Sequence, residues 1–310
     1  MTTYVNFSPD GQFGISEEFS WFMFKGPLRI WNLETGKEIF NAPLAHHSSV
    51  VFSRNGRYLA FGGNEKGNIL FLWDIYDDRE FMRFEGHTDS IEAVAFSPDG
   101  NYIISGSSDK TMKVWDIGSG RLIRTLEGLN DSIANIDFSP DGQFIVSSSR
   151  DGNIKVWNFL NGRVVNEFKE DAYQGNMSFS PDGNYIYNHE VFLNFLSVWN
   201  IKTGRKAELF QKRNNIKSIA FSPDGNQIIT GDEDGVVRYL DSATWDERAQ
   251  FISFRNGEWI VLNQDGYYNA SEKGDEYLNV RIGNQIFDVD QYREQFYRPD
   301  LVTIALSGEK

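Results

Sequence analysis

The chain contains no cysteine, only four histidines, and no apolar run approaching the roughly 18 residues that would span a bilayer. Without cysteine there are no disulfides, no thiolate metal sites and no cysteine nucleophiles. The histidines (His46, His47, His87 and His189) are scattered, and the adjacent pair would point to opposite faces of an extended strand. The amino terminus, Met1 to Val5, has neither the basic nor the apolar region of a secretory leader, so a cytoplasmic location is expected. There is also no Lys/Arg run. Thirty basic against 44 acidic residues leave a formal charge of −14, which opposes general nucleic-acid binding because that affinity comes from neutralising phosphates. Gly62–Gly67 lacks the Lys-Ser/Thr of a phosphate-binding loop. No Gly-x-Ser-x-Gly elbow exposes a nucleophile. The expectation is therefore no cofactor, no metal, no membrane and no nucleic acid.

What the chain does have is 15% aromatic residues and 28 glycines, a composition suited to many short strands joined by tight turns. A length of 310 residues taken alone suggests about two domains. Internal repetition overrides that prior. The phrase Phe-Ser-Pro-Asp-Gly begins at Phe7, Phe96, Phe138, Phe179 and Phe221. It recurs as Phe-Ser-Arg-Asn-Gly at Phe52, and as a worn Leu-Asn-Gln-Asp-Gly at Leu262. The steps are 45, 44, 42, 41, 42 and 41 residues. Proline presets φ at one turn position, Asp suits the next, and Gly supplies the positive φ that closes a hairpin. Apolar runs precede and follow each turn, as in Ile91–Phe96 and Tyr102–Ser105. A third run ends on Trp31, Trp73, Trp115, Trp157 or Trp199, with Leu240 in the sixth unit. A second glycine turn (Gly36, Gly120, Gly162, Gly204) leads into a fourth, more polar strand. Four strands per unit, with the innermost apolar on both faces, describe a sheet sandwiched between similar sheets.

These motifs resemble those of WD40-repeat proteins. The third unit carries the pattern best, with Gly86-His87 and then Asp109 ahead of Trp115-Asp116. The resemblance implies an all-β, seven-bladed β-propeller of four-stranded antiparallel blades over residues 1–290, with residues 291–310 as a tail that links or covers the seam. It also implies a structural hydrogen-bonded tetrad of His87, Ser105 or Ser107, Asp109 and Trp115. Unit four keeps Asp151 and Trp157 but has Leu129 in place of the histidine. Unit six keeps Asp234 and has Leu240 in place of the tryptophan. The chain starts directly on an innermost strand, so the seventh blade is expected to draw its outer strand from Gln285–Asp290.

Function is expected at surfaces rather than in a reaction centre. The His87–Ser–Asp109 set could be read as a catalytic triad, but a buried, satisfied network has no free group. The family commonly presents partners to the channel mouth. The resemblance places Ser48, Glu92, Gly175, Lys217 and Glu258 there on first strands, with His46 two positions before Ser48 and Tyr173 two before Gly175. Arg150 and Glu233 precede the turn Asp on the same face. A second candidate is an insertion. From turn glycine to tryptophan, units three and four take 15 residues, and unit one takes 20. The extra length holds Phe19, Trp21, Phe22 and Phe24, aromatics suited to anchoring a partner. The plainer reading is that they fold back to seal the first blade.

After the repeats, Gln291 to Arg298 reads as a short helix halted before Pro299. The run Phe296–Val302, with Ala305, Leu306 and Gly308, resembles the segment closing the propeller in bacterial proteins that combine WD40 repeats with a caspase-like peptidase. Trp259 and Gly266–Tyr268 fit the same pattern. The expectation is a non-enzymatic scaffold or sensor that binds other proteins, with a peptidase effector fused or separately encoded. The alternative is a propeller enzyme of hydrolase or lactonase type working in the central channel.

Overall fold

Each repeated phrase closes a hairpin through one set of bonds. In the computed structural model, Ser8, Ser97, Ser139, Ser180 and Ser222 donate through Oγ to the aspartate two residues on, and Ser53 to Asn55, at 2.5–2.7 Å. The same Oγ accepts the amide of the residue opening the next strand, as from Phe13, Tyr102 and Phe144 at 2.9 Å. The closing glycine is left-handed, with φ of 70° at Gly11 and 72° at Gly100. The structure describes residues 2–19, 25–42, 49–63, 68–170, 176–190, 195–206, 216–222, 224–232, 235–282 and 285–307.

Four consecutive units each form a four-stranded antiparallel sheet. The first is β1 (Thr2–Phe7), β2 (Phe13–Phe19), β3 (Lys25–Asn32) and β4 (Glu38–Ala42). The second is β5 (Val50–Phe52), β6 (Tyr58–Gly63), β7 (Ile69–Asp74) and β8 (Arg79–Glu85). The third is β9 (Ile91–Phe96), β10 (Tyr102–Ser107), β11 (Met112–Asp116) and β12 (Leu122–Leu126). The fourth is β13 (Ile133–Phe138), β14 (Phe144–Ser149), β15 (Asn153–Asn158) and β16 (Val164–Lys169). A three-stranded sheet follows: β17 (Asn176–Phe179), β18 (Tyr185–Glu190) and β19 (Phe195–Asn200).

The chain divides into two compact units. One holds residues 1–179, 183–186 and 200–205, and the other residues 180–182, 187–199 and 206–310. In the first unit the apolar cores lie between consecutive sheets. Phe13, Ile15, Leu28 and Ile30 of the first sheet meet Val50, Leu59 and Phe61 of the second. Leu70, Leu72 and Phe84 of the second meet Ile91, Ile103 and Trp115 of the third. Ile104, Met112 and Val114 of the third meet Ile133, Phe138 and Trp157 of the fourth. Sheets apolar on both faces stack in this way, as the strand pattern implies. At Gly106 the approach is so close that a Cβ would overlap the side chains of Ile133 and Ile136.

In the second unit the repeat departs from four-stranded sheets. A six-stranded sheet runs β20 (Ile216–Phe221), β21 (Gln227–Asp232), β22 (Val236–Asp241), β23 (Glu247–Ser253), β24 (Trp259–Asn263) and β25 (Tyr268–Ala270). The worn seventh phrase does make a hairpin, with Gly266 at φ 84° between β24 and β25. Its first strand, however, pairs with the fourth strand of unit six rather than opening a separate sheet. The cause is local. Asn256 and Gly257 (φ 88°) form a tight turn between β23 and β24, a strong hairpin signal. Gln285–Asp288 does not serve as the outer strand of a seventh blade. As β27 it pairs with β26 (Asn279–Ile282) in a two-stranded sheet.

The tail holds a 3-10 turn (Val289–Tyr292) and α1 (Arg293–Phe296), ending before Pro299 as proline requires. A second helix, α2 (Pro299–Ser307), uses that proline as its first residue. Its Val302 and Leu306 pack on Ala249, Val261, Tyr239 and Phe251, so the helix covers the β23–β24 face. No helix among the described residues is long and apolar enough to cross a membrane.

Candidate interaction site

The third unit brings His87, Ser105, Asp109 and Trp115 together. His87 enters from the loop before β9, Ser105 points inward from β10, Asp109 sits in the β10–β11 turn, and Trp115 ends β11. The His87 Nδ1–Asp109 Oδ2 distance is 2.8 Å and the His87 Nε2–Ser105 Oγ distance is 2.9 Å. The Trp115 indole N–H donates to Ser105 Oγ at 2.9 Å. Asp109 also accepts from Thr88 N, Thr111 N and Thr111 Oγ1. Burial alone would raise the Asp109 pKa, but the bonds from Thr111, His87 and Thr88 outweigh it and hold the carboxyl below its ordinary value. Burial lowers the His87 pKa despite Asp109, so the imidazole is neutral near pH 7. An ionised Asp109 only accepts, so Nδ1 donates to it and Nε2 accepts from Ser105. Of the two serines open from the sequence, Ser105 joins the ring and indole. Ser107 instead donates to Asp89 O and accepts from Asp109 N within the turn.

This arrangement has the connectivity of a hydrolytic triad, yet Ser105 is fully buried and its oxygen is shared by the imidazole and the indole. No substrate atom can reach it. The serine–tryptophan half recurs among the described residues, as Trp157 to Ser147 at 2.8 Å and Trp31 to Ser16 at 2.8 Å. Leu129 is buried in the fourth unit where the third has its histidine.

The open surface lies along the innermost strands. A cavity of about 710 Å³ is lined by β5, β9, β13 and β17, including Val51, Glu92, Val94, Asn135, Asp137 and Ser178. Glu92 stands at its rim, accepting from Ser108 Oγ at 3.0 Å and facing Arg150 Nη2 at 3.4 Å. Ser108 N and Arg150 N are anchored to the carbonyls of Ser90 and Ser132, so matching loops hold the pair. Deeper in, Asp137 accepts the amides of Phe138 at 2.8 Å and Phe179 at 3.1 Å. Enclosure in the strand wall strips its hydration and raises its pKa to about 6. Asn135 Oδ1 is buried on the same strand without a hydrogen-bond partner among the described residues. Neither residue was singled out from the sequence. The readable signal for Asp137 was a carboxylate one residue before the repeated phenylalanine, where other units have Val51, Ala95, Ser178 and Ala220.

Of the remaining candidates, only Glu258 has a described side chain. Glu258 lies in the β23–β24 turn, where it accepts from Ser271 Oγ at 2.5 Å and Lys273 N at 3.1 Å. Those two bonds, Ser271 first, lower its pKa. Phe19 ends β2 and Lys217 lies in β20, but their side chains are not described. Trp21, Phe22, Phe24, His46, Ser48 and Tyr173 lie outside the described residues. Among the described residues no group of three or more His, Cys, Asp or Glu could hold a metal ion.

Comparison with known proteins agrees with the repeat. Residues 79–116, 120–158 and 206–241 match the family described as WD domain, G-beta repeat, so the chain carries WD40 repeats. A periodic tryptophan protein 2 homolog of Mus musculus is 36% identical over 67 residues, 22% of this chain and 7% of that protein. WD repeat and SOCS box-containing protein 1 of Homo sapiens is 30% identical over 92 residues, 28% of this chain and 21% of that protein. Target of rapamycin complex subunit wat1 of Schizosaccharomyces pombe is 33% identical over 93 residues, 28% of each chain. The chain thus spans little more than a quarter of these relatives at most. All three are eukaryotic, so the bacterial source implied by the tail has no support among them.

Proposed function

We propose that this chain is a non-catalytic recognition module that binds other proteins and scaffolds an assembly, built on a seven-bladed WD40 β-propeller. The observation that carries this reading is the contrast in the third and fourth units. The Ser-His-Asp-Trp set of the third and the Ser-Trp pair of the fourth are locked inside the sheets, while the Glu92–Arg150 pair is held open at the rim of a cavity. Such a rim selects a partner by charge and shape without making or breaking a bond. The wat1 relative is named as a subunit of a complex, which is consistent with this reading. The aromatic insertion (Phe19, Trp21, Phe22, Phe24) is a second contact in the proposal, and the cytoplasm is the proposed location. The effector proposed for the assembly is a caspase-like peptidase, fused or separately encoded. Its support is the resemblance carried by Phe296–Val302, Ala305, Leu306 and Gly308, with Trp259 and Gly266–Tyr268, alone.

The test is quantitative affinity purification with the wild type, a Glu92→Lys/Arg150→Glu variant, and a variant with Phe19, Trp21, Phe22 and Phe24 made polar. Specific co-purifying chains should be lost from the variants while each still melts cooperatively. Retention of every partner by both variants would overturn the reading. The enzyme alternative is favoured only by the triad-like connectivity at His87. Hydrolysis of ester or lactone substrates that disappears in Ser105→Ala would establish it instead.

A further inference from the structure

The outer strands of the third and fourth units are apolar where the first, second, fifth and sixth units carry a charged residue, which in the fifth unit is Lys206 opposite Trp199. The outer-strand residue paired with the third-strand tryptophan, or with Leu240 in the sixth unit, is a glutamate in three units. Trp31 faces Glu38, Trp73 faces Glu80, and Leu240 faces Glu247. Each of these glutamates has a cationic partner: Arg29 at 3.7 Å, Arg83 at 2.8 Å and Arg238 at 3.4 Å respectively. In the third and fourth units the same position holds Leu122 and Val164. These are 45% and 37% exposed, and the bulge residues that follow, Ile123 and Val165, are 52% and 48% exposed. The equivalent bulge residues in the first and second units, Ile39 and Phe81, are packed against their cores.

The departure extends to the hairpin before β16. Leu160, 85% exposed, stands where other units have Glu34, Gly118 or Lys202. The Arg124 guanidinium of β12 donates to the carbonyls of Phe159 and Leu160 at 2.8 and 3.0 Å. That bond sets this turn against β12 and joins the two apolar edges. Arg121 and Arg163 precede Leu122 and Val164, both exposed and without an ion pair among the described residues. The residue before that position is a cation in the first, second and fifth units too, at Lys37, Arg79 and Arg205. On β16 the nearest acid, Glu167, is committed to Lys155 at 2.8 Å. The result is an apolar surface with two uncompensated cations on a chain of net charge −14.

We propose that the outer edges of the third and fourth units, Leu122, Ile123, Leu160, Val164 and Val165 with Arg121 and Arg163, dock an acidic, apolar segment of another protein. Such a segment would supply the kind of carboxylate that the first, second and sixth units carry there, and cover aliphatic side chains at positions that the first and second units keep inside. The bulges at Ile123 and Val165 distort both edges, which disfavours simple strand addition. Recognition therefore runs through side chains. This surface is separate from the cavity rim, and it rests on the reading of the chain as a protein-binding module.

The test is fluorescence anisotropy on the full chain with three short synthetic peptides. One alternates Asp/Glu with Leu/Val, one replaces the acids with Lys, and one replaces the aliphatics with Ser. The acidic-apolar peptide should bind best, and high salt should weaken it. Leu122→Glu/Val164→Glu, which introduces the residue of the first, second and sixth units, should weaken that binding by about tenfold or more, while Glu92→Lys/Arg150→Glu should leave it unchanged. Loss only in the rim variant would move the partner to the cavity, leave the module reading standing and overturn this proposal. Equal binding of the Lys peptide, or no effect of the edge variant, would also overturn it. So would light scattering that shows a dimer dissociated by the edge variant, because the occupant would then be a second copy. Should the edge variant fail to melt cooperatively, Arg121→Glu/Arg163→Glu, which alters only exposed guanidiniums, decides the same question.

Discussion

Asp137 and the turn aspartates put opposite signs on acid stability. The Asp137 pKa rises from an ordinary 3.8 to about 6 in the folded chain. Between those values the unfolded chain has lost this proton while the folded chain keeps it, so this residue's contribution falls as pH rises and is fully unfavourable above about 6. Asp137→Asn should therefore be more stable than wild type at pH 7.5, by about 1–3 kcal/mol, with the gap closing near pH 4. Urea melts at the two pH values check this, and a pH-independent gap would refute it. Asp10 and Asp224 behave in the reverse way. Bonds from Ser8 and Gln12, and from Ser222 and Asn226, lower their pKa values, so their contribution is present above pH 4 and lost as pH falls further. In the third unit, Ser105→Ala leaves both the Trp115 N–H and the His87 ring without their partner. The expected loss is about 1–3 kcal/mol in denaturant melts, with little change in rim-dependent binding.

Among elements, the hairpins were legible because their chemistry is local. Serine, aspartate and glycine at fixed offsets specify one turn, and the four-stranded sheets follow from repeating it. Pairing beyond β23 was less legible, since Asn256–Gly257 reads as a hairpin only when weighed against the repeat it interrupts. The second helix was missed because Pro299 was taken as a stop, although proline is equally at home as the first helical residue. That helix has an experimental consequence. Val302 is 2% exposed against Ala249 and Val261, so Val302→Asp forces a carboxylate into an apolar contact or lifts the helix off the sheet. A loss of roughly 2–4 kcal/mol is expected. Hydrogen exchange should quicken in Glu247–Ser253 and Trp259–Asn263, and unchanged protection there would mean that the helix is not a structural cover.

At the scale of the whole chain, the turn phrase recurs at nearly even spacing but the packing is uneven, and stability should follow packing. Both faces of the third sheet are inside apolar cores: Ile103 and Trp115 on the side of the second sheet, Ile104, Met112 and Val114 on the side of the fourth. Among the described residues the first sheet shares an apolar core with the second, and Phe7 and Leu33 are exposed. The third sheet also carries the tetrad, and Gly106 lets the fourth sheet approach closely. In a stack where each unit is held mainly by its neighbours, opening is easiest where a neighbour is weak or missing. Native-state hydrogen exchange should therefore find the slowest amides in Tyr102–Ser107 and Met112–Asp116, and markedly faster exchange in Thr2–Phe7. Gly106→Val should erase much of that difference, because a branched side chain there pushes against Ile133 and Ile136 at a cost of about 1–3 kcal/mol or more. Equal protection of the first and third sheets in the wild type would show that stability is shared evenly along the chain, against the packing argument.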